Sequence, residues 1–554
     1  MKTKLFFAAL AALAITGCMK EEGPSDPVYN TSEEAGYIGV NIRNTSPATK
    51  ADGAVYEDGT DAENAVNYVT FHLFDAAGNS LDVQTIAATF ENSDPAADNV
   101  EEIATVVVGI DAAVVHQVPS SMVAILNAPT LLKQPATLSE LKARKTTLLK
   151  NEEDLFIMTN STYMDGSGNV MTETPVDLAH IKTTEAEAKL SPISIYVERV
   201  ASKVQTTFPD ALPSIAGVQI QVMKNATDPF TIDNGSGTEL EVYATIKGWE
   251  VTNNMEGSYA LKKIDAVNWT DSKLGFTWND APFYRCYWSE SAPYDPKHNK
   301  TFADLATVDP KYYHENTVPT SASDNHNAPD LDGVDNSSTA HNHPVILIGA
   351  EFIDETGNHL DIVEWYGGKM LLPQFKTAIL DFIKDDIRVQ ESVTDPGTGI
   401  TTTTTRTFTE SEITFKQVSD QLADNRYLSL VTLAESAKSL TFVDIANNPL
   451  TTEQVIANLE AIEPALIWGA GGYYYFGVRH LAATSAGIGY NGMVRNHVYS
   501  ASVTGITGLG TPVYDPEMVI TPEKPDDSTE TSYIAAEINI LSWRIVAQDN
   551  IVLN

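Results

Sequence analysis

Short runs in which apolar residues recur at every second position, each closed by a turn signal, constrain this chain most. In Tyr37-Ile38-Gly39-Val40-Asn41-Ile42-Arg43, the residues Ile38, Val40 and Ile42 fall on one face, as in a half-buried strand. Further strand-like runs follow: Val69 to Phe74, closed by Asp75-Ala76-Ala77-Gly78, the β-branched run Ala104 to Ile110, and the apolar run Met122 to Leu126, closed by Asn127-Ala128-Pro129. Ile193 to Val200 ends this first block. A second block from Pro209 carries strands at Val218 to Met223, Glu241 to Ile246, Val345 to Phe352, Tyr473 to Val478 and Val494 to Val503. Such a chain folds mostly as β-sheet in sandwich-like layers. Three helices interrupt it. One is capped by Thr137 with Leu138, Leu141, Leu148 and Leu149 at helical spacing, and one spans Pro373 to Lys384 with Phe375, Ile379, Phe382 and Ile383 inward. The third spans Thr451 to Ile462, where Thr451 and Gln454 form a capping box. The polar excursions Ser289 to Asn342 and Glu391 to Thr409 read as surface loops or edge hairpins.

The two ends differ from this body. Lys2 and Lys4 precede the apolar run Leu5 to Ile15, which closes Ile15-Thr16-Gly17-Cys18, the pattern at which a bacterial lipoprotein signal is cut and its cysteine acylated. A bilayer core takes about 20 apolar residues, so the run reads as a removable signal and the chain as exported. Residues 19–50 hold a polar tether, the strand Tyr37 to Arg43 and the start of a loop with a basic break at Lys50-Ala51. At the far end, Thr521 to Ser532 is a linker rich in Pro and acids. It leads to a strand pattern with Ile534, Ala536, Ile538 and Ile540 on one face and, after a one-residue slip, Leu541, Trp543 and Ile545. The expected units are a signal over 1–18, a propeptide over 19–50, β-sandwich domains over 51–208 and 209–520, and a linker with donor strand over 521–554.

With 35 Lys and Arg against 74 Asp and Glu, the net charge is −39. Nucleic acid is excluded as a partner, because a phosphate backbone is held by clustered cations. Only two cysteines occur. With Cys18 acylated, Cys286 has no mate for a disulfide, so stability must come from packing.

Motifs of chemistry are absent: no phosphate loop, no nucleophile elbow, no paired-cysteine metal pattern. Asp330, Asp332 and Asp335 surround Gly333 as in a calcium loop, but without the later bidentate acid they read as a solvated turn. His298, His314, His326, His341 and His343 share one excursion without a metal-ligand pattern, and no metal, cofactor or catalytic residue is expected. Arg495-Asn496-His497 reads as a run that orders a turn through backbone hydrogen bonds.

A strand before a basic break and a strand on a flexible tail suggest one device. A sheet lacking a strand exposes an apolar groove and unpaired amides. The segment holding Ile38, Val40 and Ile42 covers that groove in the precursor, cleavage at Lys50 or Arg43 uncovers it, and the tail strand of a second molecule fills it.

The chain resembles the fimbrilins of type V pili, most closely the major stalk subunit of short, Mfa-type fimbriae. The residues that carry the resemblance run through nearly the whole chain: the lipobox at Cys18, Leu126 to Pro129, Phe156 to Ser161, Val197 to Ala201 and Tyr313 to Thr317, then Gly471 to Tyr475, Arg479-His480, Gly492 to Tyr499, Leu509 to Val513 and Ile540 to Arg544. The resemblance implies two transthyretin-like β-sandwich domains and passage as an outer-membrane lipoprotein acylated on Cys18. It implies maturation between Lys50 and Ala51 by an Arg- or Lys-specific protease, where the family has Arg, which leaves Arg43 as the alternative. Donation by the strand around Ile538, Ile540 and Trp543 into a head-to-tail polymer of this chain follows, with accessory and anchor fimbrial subunits as further partners. The product is a cell-surface adhesive fimbrium. Two other readings stay open: an accessory or tip adhesin of the same pilus, and a surface glycan-binding lipoprotein with an aromatic platform from Tyr473, Tyr474 and Tyr475.

Overall fold

The structure is a computed structural model of the 554-residue chain. It describes residues 34–45, 59–92, 100–111, 114, 117, 119–164, 170–176, 178–209, 217, 219–263, 291–292, 300–316, 344–417, 427–478, 492–517, 520 and 533–541.

Seven principal strands build the first sheet: β1 (Glu34–Thr45), β2 (Tyr68–Phe74), β3 (Ser80–Ala87), β4 (Val100–Asp111), β5 (Ser121–Leu126), β6 (Met158–Asn160) and β7 (Ile193–Arg199). Their order is β3-β2-β5-β6-β7-β1-β4, with Glu91–Asn92 at the far edge. Alternation along these strands sends Ile38, Val40, Ile42, Val69, Phe71, Leu73, Val106, Val108, Ile195 and Val197 into one core. A smaller cluster holds Phe74, Val123, Ile125, Leu132, Leu141 and Val200. Three short helices belong to this unit: α1 (Asp61–Asn64), α2 (Leu138–Ala143) and α3 (Glu185–Leu190). The expected Thr137 cap is present, its hydroxyl accepting from Glu140 N while the Glu140 carboxylate accepts from Thr137 N. The helix stops at Ala143, however, and Leu148 and Leu149 lie beyond it.

The second sheet begins one residue after the first ends. β8 (Ala201–Thr207) follows β7 across Val200 alone, and then come β9 (Gln219–Met223), β10 (Tyr243–Thr252), β11 (Lys311–His314) and β12 (Val345–Ile353). Residues 354–417 and 427–468 leave this sheet and form a separate lobe with its own core, centred on Phe375, Ile379, Val389, Phe415, Val431, Val455 and Ile467. The lobe holds β13 (Ile362–Trp365), α4 (Leu372–Ile383), β14 (Arg388–Thr394), β15 (Thr401–Arg406), β16 (Ile413–Gln417), β17 (Leu428–Leu433), β18 (Thr441–Val443), α5 (Thr452–Glu460) and β19 (Ala465–Trp468). On α4, Phe375, Ile379 and Ile383 are buried as the helical spacing requires, but Phe382 points outward at 57 % exposure. The Thr451 and Gln454 capping box of α5 is formed.

The chain then returns through β20 (Gly471–Gly477), β21 (Val498–Thr507), β22 (Thr511–Val513) and β23 (Tyr533–Leu541). The second sheet runs β11-β8-β21-β9-β10-β12-β20-β22, with β23 also paired to β21. Because β12 and β20 lie side by side, Ala350 opposite Gly472, the whole lobe springs from one hairpin-like connection.

The excursion Ser289 to Asn342 is not wholly a loop, since Lys311–His314 pairs with β8. Residues 494–497 precede β21 instead of opening it. Cys18, Cys286, Lys50, Ala51, Trp543, Ile545, the Asp330 to Asp335 turn and His298, His326, His341 and His343 lie outside the described residues.

Candidate assembly site

The sheet position of β1 is the first part of the site. It lies between β4 and β7, antiparallel to β4 with Ile38, Val40 and Ile42 opposite Val108, Val106 and Ala104. It runs parallel to β7, with Val40 opposite Ile193 and Ile42 opposite Ile195. Ile38, Val40 and Ile42 are fully buried. The opposite face meets α3: a side chain at Gly39 would place its Cβ 2.0 Å from the Ala188 carbonyl oxygen, so only glycine passes there without displacing the helix. Tyr37 packs beside it with Val107 and Ala188. Among the sequence-derived residues, the three isoleucine and valine positions are thus brought together as one buried row. Arg43 sits in the same strand, its backbone opposite Ile103 on one side and Tyr196 on the other.

The second part is the junction of the two sheets at Val200. Three runs distant in sequence, Glu198 to Lys203, Tyr312 to Asn316 and Arg495 to His497, meet there in a buried polar network. Asn496 adopts φ +57. Its backbone N–H donates to Ala201 O at 2.7 Å, and its side-chain oxygen accepts from Arg199 N at 3.2 Å. The Arg199 guanidinium donates to Glu63 O at 3.0 Å and also to Asn64 Oδ1. Lys203 pairs with the Glu63 carboxylate at 3.1 Å, which also accepts from the Tyr312 hydroxyl at 2.7 Å. Burial alone would push Glu63 up, but Tyr312, the Thr60 backbone and Lys203 hold it below the usual carboxylate range.

Arg495 is fully buried, as is its partner Glu315. Its Nε donates to Glu315 Oε2 at 3.0 Å, and its terminal nitrogens donate to Ala260 O at 3.1 Å and Tyr259 O at 2.7 Å. Lys262 and Glu198, also fully buried, pair at 3.1 Å. Burial keeps the Glu198 carboxyl above its ordinary range despite Lys262 and Arg495. The turn-ordering role expected of Arg495-Asn496-His497 is present, since His497 Nδ1 lies 2.8 Å from Arg495 O. Sequence reasoning missed the ion pairs. The available signal was a Glu-Arg pair inside the apolar run Val197 to Val200 and a lone acid, Glu315, after a strand. His314 is a core histidine, 3.1 Å from the Ser258 hydroxyl, and burial lowers it to about 4. Among the described residues no group of His, Cys, Asp and Glu could hold a metal ion.

The third part is the tail. Ile534, Ala536, Ile538, Ile540 and Leu541 lie in β23, which runs antiparallel to β21 from Thr507 opposite Tyr533 to Val498 opposite Leu541. The other side of β21 carries β8 and β9. β1 and β23 are therefore linked by direct strand neighbours: β1 to β7, across Val200 to β8, then to β21 and β23. Tyr473 and Tyr475 come within 6.4 Å of each other while Tyr474 turns into the core of the second sheet, and Tyr473 and Tyr474 are buried. They form no exposed aromatic platform.

Comparisons with known proteins bear on the last part of the chain. Residues 469–549 match the family described as major fimbrial subunit protein type IV, fimbrillin, C-terminal. No curated protein matches the chain. Among solved structures, a candidate cell adhesion protein from Parabacteroides distasonis is 13 % identical, over 92 % of this chain and 98 % of that one, at a TM-score of 0.36. A fimbrial assembly protein from the same species is 10 % identical, over 58 % and 86 %, at 0.29. The tip fimbrial protein Mfa3 from Porphyromonas gingivalis, with a C-terminal truncation, is 8 % identical, over 92 % and 99 %, at 0.30. On residues 469–549, which carry β20 to β23, the resemblance to the fimbrilins of type V pili is borne out.

Proposed function

We propose that this chain is the stalk subunit of an adhesive cell-surface pilus and that it polymerises by protease-triggered exchange of a strand. The observation that carries this reading is the place of β1: a strand near the N-terminus that is central in its sheet, so that its loss opens a slot with an acceptor edge on each side. Three fully buried aliphatic side chains are worth roughly 5–9 kcal/mol gross, enough to keep a filled slot closed. Its vacancy would leave apolar surface and unpaired amides that a strand from a second molecule can satisfy.

Lys50 suits the cut better than Arg43, because a protease binds its substrate as an extended unpaired chain and Arg43 is paired on both sides. After a cut there, Glu63 and Asn64 would still hold the new N-terminal stretch on the sheet junction. The tail supports the stalk over the tip: a tip subunit needs the slot but has no use for a donor strand. In exchange, β23 or its continuation moves from its own β21 to the slot of the next subunit, and the strand path through Val200 joins slot to tail. Acylation at Cys18, outer-membrane passage, and accessory and anchor subunits complete the proposal. The glycan-binding alternative loses its aromatic platform with Tyr473 and Tyr474 buried.

The test compares full-length protein with protein ending at Ser532 after treatment with a trypsin-like protease. Full-length protein should give ladders that resist SDS without heating, and the truncated form should stay monomeric. Ladders from the truncated form would contradict strand exchange, and N-terminal sequencing of the ladder distinguishes Lys50 from Arg43.

A further inference from the structure

The lobe of residues 354–417 and 427–468 carries a ribbon that its own fold does not need. β14 and β15 pair from Val389 opposite Arg406 to Thr394 opposite Thr401. Every residue from 391 to 404 is exposed, on both faces. Val393 is 67 % and Ile400 64 % exposed. A two-stranded ribbon without a packed face is marginal in water; beyond its base, where Val389 enters the lobe core and Arg388 to Gln390 pair with β18, this one is held by its own polar contacts. Ser392 and Thr403 hydroxyls lie 3.1 Å apart, those of Thr394 and Thr401 2.8 Å apart. The turn is built on Asp395, whose carboxylate accepts from Gly397 N at 2.7 Å and Thr398 N at 2.9 Å. Arg406 ties the base to Glu391 and to Glu412.

We propose that this ribbon is a contact surface for the same ribbon on a second copy of the chain, formed by edge-to-edge antiparallel pairing of β15 with β15. Three observations select that partner. Among the described residues no strand pairs with the outer edge of β15, which is the terminal strand of its sheet. Its sequence, Thr401 to Thr405, is symmetric about Thr403, so a two-fold pairing centred there sets threonine against threonine along its whole length. Cross-strand threonine pairs are favourable. Charge gives the third: the chain carries −39, yet residues 388–407 hold two arginines, Arg388 and Arg406, against Glu391 and Asp395 and are neutral. Two such acidic bodies repel each other, and the neutral ribbon standing off the lobe is where they can touch.

A contact of about five residues a side covers far less than the roughly 1,000 Å² of a stable interface. Single copies therefore stay apart, and the contact acts only where many ribbons are presented together. A filament of this chain presents one ribbon per subunit, so the consequence, side-by-side association of filaments, rests on the pilus reading. The contact itself does not.

Beads coated densely with purified, uncleaved protein test the contact without any strand exchange. Wild-type beads should clump. In the first variant an Asn-Gly turn joins Gln390 directly to Thr405, positions that already face each other, and clumping should fall at least tenfold while the protease ladder is unchanged. A second pair separates ribbon pairing from general stickiness. Thr402→Asp with Thr404→Asp sets like charges opposite each other in the two-fold pairing and should abolish clumping. Mixing these beads with Thr402→Lys, Thr404→Lys beads should restore it. Wild-type beads that stay dispersed, or shortened-ribbon beads that clump as wild type does, overturn the proposal. So do lysine-bearing beads that clump equally with shortened-ribbon beads. Loss of the ladder with clumping intact would instead count against the pilus reading alone.

Discussion

β1 has a neighbour on each side, and among the described residues β23 pairs with β21 alone. Their patterns are alike, with tyrosine and two isoleucines at the same places: Tyr-Ile-Gly-Val-Asn-Ile-Arg from Tyr37 and Tyr-Ile-Ala-Ala-Glu-Ile-Asn from Tyr533. Alternation fixes a strand and its buried face, but the number of neighbours comes from topology. A strand of this composition can therefore complete a sheet centre or cap a sheet side, and what differs is the cost of removing it. Loss of β1 exposes two ladders and opens a core, whereas loss of β23 exposes one side of β21. The largest expected effect follows. Protein lacking residues 34–45 should aggregate or self-associate on purification, while protein lacking residues 533–554 should remain a folded monomer with a modestly lower melting temperature. Size-exclusion chromatography with calorimetry checks both, and a chain without residues 34–45 that is monomeric and as stable as the intact one would remove the distinction.

The two strands act on one another only if the sheets they belong to are coupled at Val200. Breaking a buried ion pair from one side leaves an uncompensated charge and typically costs about 3–5 kcal/mol. Arg495→Met strands Glu315 in this way and should cost that much in urea unfolding. It should also split one unfolding transition into two, since the sheets would then melt separately. A single transition in the variant, as cooperative as in the wild type, would show that Val200 and the surrounding backbone suffice.

Each sheet also carries a buried neutral histidine. His72 on β2, its Nε2 2.8 Å from Leu132 O, and His314 on β11 are both lowered by burial to about 4. In the unfolded chain they take up protons near pH 6.5. Above that pH their contribution to stability is present in full. As pH falls from 6.5 toward 4 the unfolded state binds protons that the native state does not, and stability drops by about 3 kcal/mol for each histidine. Glu198, held above its ordinary range by burial, works in the opposite sense, gaining stability for the native state as it protonates. Urea titrations at pH 7 and pH 4.5 on His72→Gln and His314→Gln should each flatten the slope by one proton. Equal slopes in wild type and both variants would mean that neither ring is shielded.

How much of this was legible in the sequence depended on range. The alternating run Val69 to Phe74 and the continuous apolar run Met122 to Leu126, each closed by a turn, gave their strands because these signals are local. The Thr137 and Thr451 caps were legible for the same reason. The separate lobe was not, because β12 and β20 pair across more than a hundred intervening residues, and nothing in Val345 to Phe352 announces that partner. The junction was half legible: Arg495-Asn496-His497 stood out as a turn, but Glu315, which pairs with Arg495, and Glu63, which pairs with Lys203, lie far away in sequence from their partners, and only the fold brings each acid to its base. For β1 the pattern gave the face, and the central position came from the parallel neighbour β7, which no local signal specifies.

Gly39 offers the smallest and finest test, because there two heptads that share their tyrosine and isoleucine positions differ in what surrounds them. Between Ile38 and Val40 the outer face of β1 runs against the Ala188 carbonyl of α3, and an alanine Cβ there would stand 2.0 Å from that oxygen. Overpacking of this kind costs about 1–3 kcal/mol, which the six-residue α3 can lessen by shifting. The tail already has alanine, Ala535, at the matching place in its heptad. Gly39→Ala should therefore destabilise by about 1–3 kcal/mol, read in urea unfolding. Ala535→Gly should change stability by no more than the usual backbone effect of about 1 kcal/mol. Equal small effects at both positions would mean that α3 yields freely and places no steric demand on the strand in that slot. A large effect at Gly39 alone would make the contact with α3 a feature of the seat of β1, distinguishing it from the place the tail holds on β21.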